Sequence, residues 1–190
     1  FTLLSVGVFG FFVSTDLFTM FMFYEVALIP MYLLIGVWGS GRKEYAAMKL
    51  TLMLMGGSAF LLIGILGIFY GAGGETMNLL EIAKLHIPHE MQRIFFPLIF
   101  LGFGVLGALF PFHTWSADGH ASAPTAVSML HAGVLMKLGG YGCFRVAMYL
   151  MPEGAAMWGD VFLILTTISV VYGAFSAVVQ TDLKYINAYS

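Results

Sequence analysis

The sequence predicts an all-α protein, a polytopic bundle of transmembrane helices in which one helix is broken. Three observations predict it. First, 60% of the 190 residues are hydrophobic and only 9% are charged, whereas a soluble domain covers its surface with about a quarter charged residues. Lipid must be most of this chain's solvent. Second, the apolar residues fall into runs of about 20, the length that crosses a hydrocarbon core of roughly 30 Å as a helix. Third, one run carries Gly102, Gly104, Gly107 and Pro111, and such breakers are tolerated at membrane depth only where protein or water satisfies the freed backbone groups.

The spans follow in order within one membrane domain, residues 1–190. The first, 1–15, starts inside an apolar run with no initiator Met. The second, 17–38, begins after a turn at Asp16 and holds Glu25 and Pro30. A polar, breaker-rich loop, Gly39 to Glu44, leads to the third, 45–70, with Lys49 in its first turns. Residues 71–93 are the one sustained polar stretch. There Leu79, Leu80, Ile82, Ala83 and Leu85 interleave with Glu81 and Lys84, the pattern of a short helix lying at the interface.

The fourth span, 94–115, is the one expected to break, between Gly104 and Pro111. The segment His113 to Pro124 reads as a short polar connector. The fifth, 125–150, carries His131, Lys137 and Arg145, and the sixth is 157–180. A loop, Gln180 to Lys184, opens a seventh helix at 185–190, so both ends read as cuts through a longer protein. Arg42, Lys43 and Lys184, with Lys49 one turn inside, mark their side as cytoplasmic by the positive-inside rule.

Composition also excludes partners. Eight basic against ten acidic residues leave no basic patch for nucleic acid. The single cysteine, Cys143, excludes a disulfide framework or an iron–sulfur or zinc-thiolate site within one chain, and reads as a small buried hydrophobe. The 13 methionines and 18 phenylalanines have packing or lipid-facing spacing, with no copper or haem pattern.

Chemistry is carried by the few charges at membrane depth. Lys137 lies about twelve residues from either end of its span, too deep to snorkel, where a charge costs several kcal/mol. Low dielectric favours its neutral amine, so it can exchange protons; the plainer alternative is an ion pair for assembly alone. Glu25, set among Phe21, Phe23 and Tyr24, can pass a proton to a nearby amine or serve as half of a static pair. His131 precedes Lys137 by six residues, about 9 Å along the axis and off a common face, so only water could link them. Its imidazole suits a relay, although packing is the alternative.

Lys49 and Lys184 lie near helix ends and read equally as solvated or snorkelling lysines. His113, His120 and Asp118 could meet a metal, but their spacing matches no zinc pattern, and capping or loop hydrogen bonds are the simpler reading.

Six motifs occur in one order: Phe23 to Tyr32 (Phe-Tyr-Glu-x4-Pro-Met-Tyr), Ala46 to Lys49, Pro111 to His120 (Pro-Phe-His-Thr-Trp-x2-Asp-x-His), Ala123 to Thr125, Leu135 to Gly142 (Leu-Met-Lys-Leu-Gly-Gly-Tyr-Gly) and Gln180 to Lys184. Together they resemble the antiporter-like subunits of respiratory complex I, nearest the chain M or mitochondrial subunit 4 type. The resemblance implies about fourteen transmembrane helices in two inverted repeats, with ion sites at broken helices near the midplane, of which this chain is nearly the whole first repeat. It implies that Glu25, Lys137, His131 and Lys49 transfer protons, with Lys184, Asp118 and His113 as accessories.

It further implies a proton-translocating part of an NADH:quinone oxidoreductase, in a bacterial inner (plasma) or mitochondrial inner membrane. This chain would hold no cofactor or metal and no redox catalytic site. NADH, FMN, iron–sulfur clusters and quinone would belong to partner subunits, beside membrane neighbours of the L, N and K types. The alternatives are a subunit of a multisubunit Na⁺/H⁺ antiporter, toward which His131 before Lys137 leans, or a structural membrane scaffold. One departure stands out: seven residues before His113, where the family usually has lysine, stands Leu106, and Ser116-Ala117 replaces the usual Leu-Pro before Asp118. Without that lysine, Lys49 or Lys137 must partner Glu25, or the channel is altered.

Overall fold

The computed structural model describes residues 1–190 and is helical throughout, with no sheet. Helix α1 (Thr2–Val13) and α2 (Leu17–Trp38) form a hairpin whose turn is fixed by Asp16. The Asp16 carboxylate caps α2 by accepting from the backbone N–H of Thr19 at 2.9 Å. The same turn pairs with 77–79: Leu17 N–H donates to the Met77 carbonyl and Leu79 N–H to that of Thr15. Helix α3 (Lys43–Gly71) returns across the bundle, and α4 (Leu79–Ile82) is a single turn capped by Asn78.

Helix α5 (His89–Leu106) starts five residues before the expected fourth span, because Pro88 sets its N-terminus within the polar stretch. It lies close along α3. A Cβ on Gly64 would overlap Ile99, and one on Gly67 would overlap the ring of Phe95, so hydrogen at both positions lets the two helices approach.

The break expected between Gly104 and Pro111 occupies 107–113. Leu109 N–H bonds to the Gly104 carbonyl at 2.8 Å, Ala108 takes a left-handed φ of 58°, and the Phe110–Pro111 peptide is cis. The chain then becomes helical again as α6 (Thr114–Ser122). This corrects the reading of 113–124 as a polar connector. The segment is the second half of the broken helix, with Trp115 and His120 buried, and Asp118 and His120 find polar partners on neighbouring helices.

A continuous helix over 125–150 follows. It comprises α7 (Thr125–Leu130), a π-helical turn (His131–Leu135), α8 (Met136–Gly142) and a second π-helical turn (Cys143–Met148). Helix α9 (Pro152–Val179), with Pro at its first position and Glu153 in its first turn, begins five residues before the expected span. Helix α10 (Leu183–Tyr189) is capped by Asp182.

Helices α2, α3 and α9 are each long and apolar enough to cross a membrane. Val170, Phe175 and Val178 on α9 are exposed, a face suited to lipid or protein but not to water. Loops and helix ends gather at two levels. At one, Ser40 N–H bonds to the Ser122 carbonyl and Lys184 Nζ to that of Ala123. At the other, His89 meets Glu153 at 3.0 Å, and Gln92 accepts from Gly154 N–H.

The break is held by one tight crossing. A Cβ on Gly139 would sit 2.5 Å from the Gly107 nitrogen and 2.6 Å from the Phe103 carbonyl oxygen, whereas one on Gly140 would meet nothing within 4 Å. Overpacking against backbone costs about 1–3 kcal/mol, and replacing an unhindered helical glycine by alanine gains up to about 1 kcal/mol. Gly139→Ala should therefore lower the thermal midpoint of the detergent-purified protein by several degrees, while Gly140→Ala leaves it unchanged or raises it.

Candidate functional site

The break turns α6 so that one of its faces lines a cavity. Residues 113, 116, 117 and 120 recur at helical spacing, and His113, Ser116, Ala117 and His120 form one wall of a cavity of about 260 Å³. Ala132, Met136 and Lys137 supply a second wall, Ser169 and Gly173 of α9 a third, and residues 187–190 at the end of α10 a fourth. The break itself contributes Gly107 and Ala108. Phe110 N–H, freed from the helical ladder, donates to Ser169 Oγ at 3.3 Å, and Trp115 Nε1 donates to the Val105 carbonyl at 3.1 Å across the break.

Lys137 lies on the cavity wall, exposed within this chain, and makes no hydrogen bond or ion pair to it. His131 points elsewhere, as their six-residue separation requires. Its ring is fully buried, stacked between Trp115 at 5.3 Å and His120 at 4.3 Å, and neither ring nitrogen has a hydrogen-bond partner in the chain. His120 Nδ1 lies 3.0 Å from Ser128 Oγ and Nε2 3.4 Å from Met136 Sδ. His113 stacks on Phe110 and meets Tyr172 edge-on, with both nitrogens buried and unpartnered.

The opposite face of α6 carries Asp118, five residues from His113 and so about 140° around the helix. Its Oδ2 accepts from Lys49 Nζ at 2.7 Å, and its Oδ1 from the Tyr185 hydroxyl at 3.2 Å. Both members of the ion pair are about a quarter exposed, 24% and 25%. Lys49 is therefore an internal ion-pair partner, not a snorkelling lysine. Asp118, His113 and His120 do not converge on a point, and no group of three ligating side chains is gathered. Lys184 stays at the helix end on the Ala123 carbonyl.

Glu25 stands apart. It is partly buried, makes no hydrogen bond or ion pair, and its Oε1 is enclosed without a partner. Leu106 ends α5 in the core with 1% of its surface exposed. Lys49, one of the two lysines that could have replaced the missing one, is taken by Asp118. Sequence reasoning missed Tyr185 and the histidine stack; Asp118 lies 69 residues from Lys49, and no local pattern pairs them.

A bundle with a helix broken at depth and lysine, histidine and carboxylate side chains around the break has the architecture of an antiporter-like membrane subunit. Residues 14–190 match the family NADH:quinone oxidoreductase/Mrp antiporter, TM, and the chain belongs to that family of integral membrane proteins. It is 42% identical over 182 residues to NAD(P)H-quinone oxidoreductase chain 4 3 of a Picosynechococcus species, covering 95% of this chain and 33% of that protein.

It superposes with a TM-score of 0.91 and 29% identity on a chain of respiratory complex I from Thermus thermophilus, covering 98% of this chain and 40% of the other. A chain of the Mrp complex from a Dietzia species matches at TM-score 0.85 and 24% identity, over 98% and 35% of the two chains, and so shares the fold. The chain thus spans about a third of the length of the curated relatives it matches. The family and fold expected from the six motifs hold.

The unpartnered state of Glu25 has a measurable consequence. A buried carboxylate with no partner costs desolvation without return, whereas removing one half of an ion pair strands the other. Glu25→Gln should keep or raise the thermal midpoint of the detergent-solubilised protein, and a fall of several degrees would show that Glu25 has a stabilising partner.

Proposed function

We propose that this chain forms a proton-conducting part of a membrane-arm subunit in an NAD(P)H:quinone oxidoreductase complex. One observation carries the reading: protonatable side chains succeed one another from the Lys49–Asp118 pair, through stacked His120 and His131, to the cavity holding His113 and Lys137. Counting at 1.5 Å per residue, Lys49 is about 9 Å inside its end of α3, and Lys137 about 18 Å from Thr125. The series therefore runs from one membrane face to mid-depth.

In this reading Lys137 is the central proton carrier, His131 and Lys49 relay protons toward it, and His113, Asp118 and Lys184 assist. Glu25 exchanges protons with a lysine through water and is protonated for part of each cycle, since no base contacts it and Leu106 offers none. Redox chemistry belongs to partner subunits that hold FMN, iron–sulfur clusters and the NADH and quinone sites. Membrane neighbours of the L, N and K types flank the chain in an energy-coupling membrane, bacterial inner or mitochondrial inner. The 42% identity to a quinone oxidoreductase chain favours this over Na⁺/H⁺ exchange, whose support is a shared fold at 24% identity and the placing of His131 before Lys137.

Lys137→Ala should abolish most proton pumping by the reconstituted complex while leaving assembly intact. Lys137→Arg should also pump poorly, because arginine keeps its proton at any working pH. Normal pumping by the arginine variant would contradict a deprotonation step at this position.

A further inference from the structure

Asp118 joins three elements through one carboxylate. It sits on α6, and its two oxygens are held by Lys49 of α3 and Tyr185 of α10. The other face of α6 walls the cavity, and the end of α10 walls it opposite, through Asn187 and Tyr189. Only one other hydrogen bond ties α10 to the end of α6, that of Lys184 Nζ to the Ala123 carbonyl at 3.3 Å. Beside the packing of α10 on α6 and α9, these two hydrogen bonds fix one cavity wall against the other.

We propose that Asp118 is a protonatable latch on the cavity: ionised, it clamps α6 to α3 and α10 and keeps the mouth between α6 and α10 shut; protonated, it releases α10 and admits protons toward Lys137. The proposal rests on the proton-conducting reading above. Its chemistry is simple. Charge-assisted hydrogen bonds are about twice as strong as neutral ones, and a neutral carboxyl no longer attracts the Lys49 ammonium. The proton gained by Asp118 comes from the adjoining aqueous face, and its return to that face restores the clamp.

Cationic groups outnumber acidic ones around the carboxylate. Arg42, Lys49 and Lys184 lie on that side, and Asp182 is the neighbouring acid. Tyr45 of α3, Tyr189 of α10 and His113, which senses the Lys49 charge, complete the titratable groups facing the pair, while His120 lies on the cavity side of α6. In this arrangement Tyr185 is a positioning residue, because it orients Asp118 and does not itself carry the proton.

The test is passive proton conductance of the whole complex in vesicles, read from the decay of an imposed pH gradient with no electron donor present. Asp118→Asn should raise the leak about tenfold, the loss of a charge-assisted pair, and Asp118→Glu should stay near native. Tyr185→Phe, which removes a single hydroxyl, should raise the leak about fivefold, as expected for one lost hydrogen bond. If Asp118→Asn prevents assembly, Tyr185→Phe carries the test alone. A proton-tight Tyr185→Phe complex, or equal leaks from Asp118→Asn and Asp118→Glu, overturns the latch. A tight Tyr185→Phe complex beside a Lys137→Ala complex that cannot pump overturns the latch alone, whereas normal pumping by Lys137→Ala overturns the pathway itself.

Discussion

A helix end exposed to hydrocarbon leaves backbone groups unsatisfied at several kcal/mol each, so a break at membrane depth survives only where the surrounding protein receives it. The interruption at 107–113 is received in three ways. Trp115 reaches back to the Val105 carbonyl, Ser169 of α9 takes the freed Phe110 N–H, and Gly139 lets the 125–150 helix come within contact of Gly107. Without that support the backbone groups freed at the break would face hydrocarbon unpaired. The polar interior depends on this one constraint.

What the break yields is a redirected α6. A nine-residue helix with Thr, Ser, Asp and His on its surface is a poor membrane element alone, yet here most of it is buried against neighbouring helices. Its two faces do different things. His113 and His120 meet the cavity, and Asp118 meets Lys49 and Tyr185. The first π-helical turn, at His131–Leu135, lies beside it and widens the helical repeat where His131 inserts between Trp115 and His120. Buried charge is thereby paired or set on a cavity, except at Glu25.

Much of this was legible in the sequence, for reasons that differ by element. The long spans could be read because α2, α3 and α9 are continuous apolar runs, and membrane length is a hard requirement. The break could be read because Gly102, Gly104, Gly107 and Pro111 crowd together in one apolar run. The helical state of 114–122 could not, since Thr-Trp-Ser-Ala-Asp-Gly-His-Ala-Ser has no apolar periodicity and is stabilised by residues distant in the chain. For the same reason Lys49 read as a snorkelling lysine, although its partner stands on α6. The start of α5 at His89 was hidden by the polarity of its first turn, and the π-helical turns have no local signature at all. The candidate residues were visible singly as charges in apolar surroundings, but their grouping was not.

In the function proposed, the polar groups around the break form a hydrated path ending at Lys137. The most direct measurement is the arrangement of ordered water in a high-resolution electron cryo-microscopy map of the intact complex. Waters are expected in the cavity, linking His113 and His120 to Lys137, with the Lys137 amine enclosed by protein. A dry or lipid-filled cavity, or a Lys137 side chain directed into the bilayer with no polar atom near it, would contradict it.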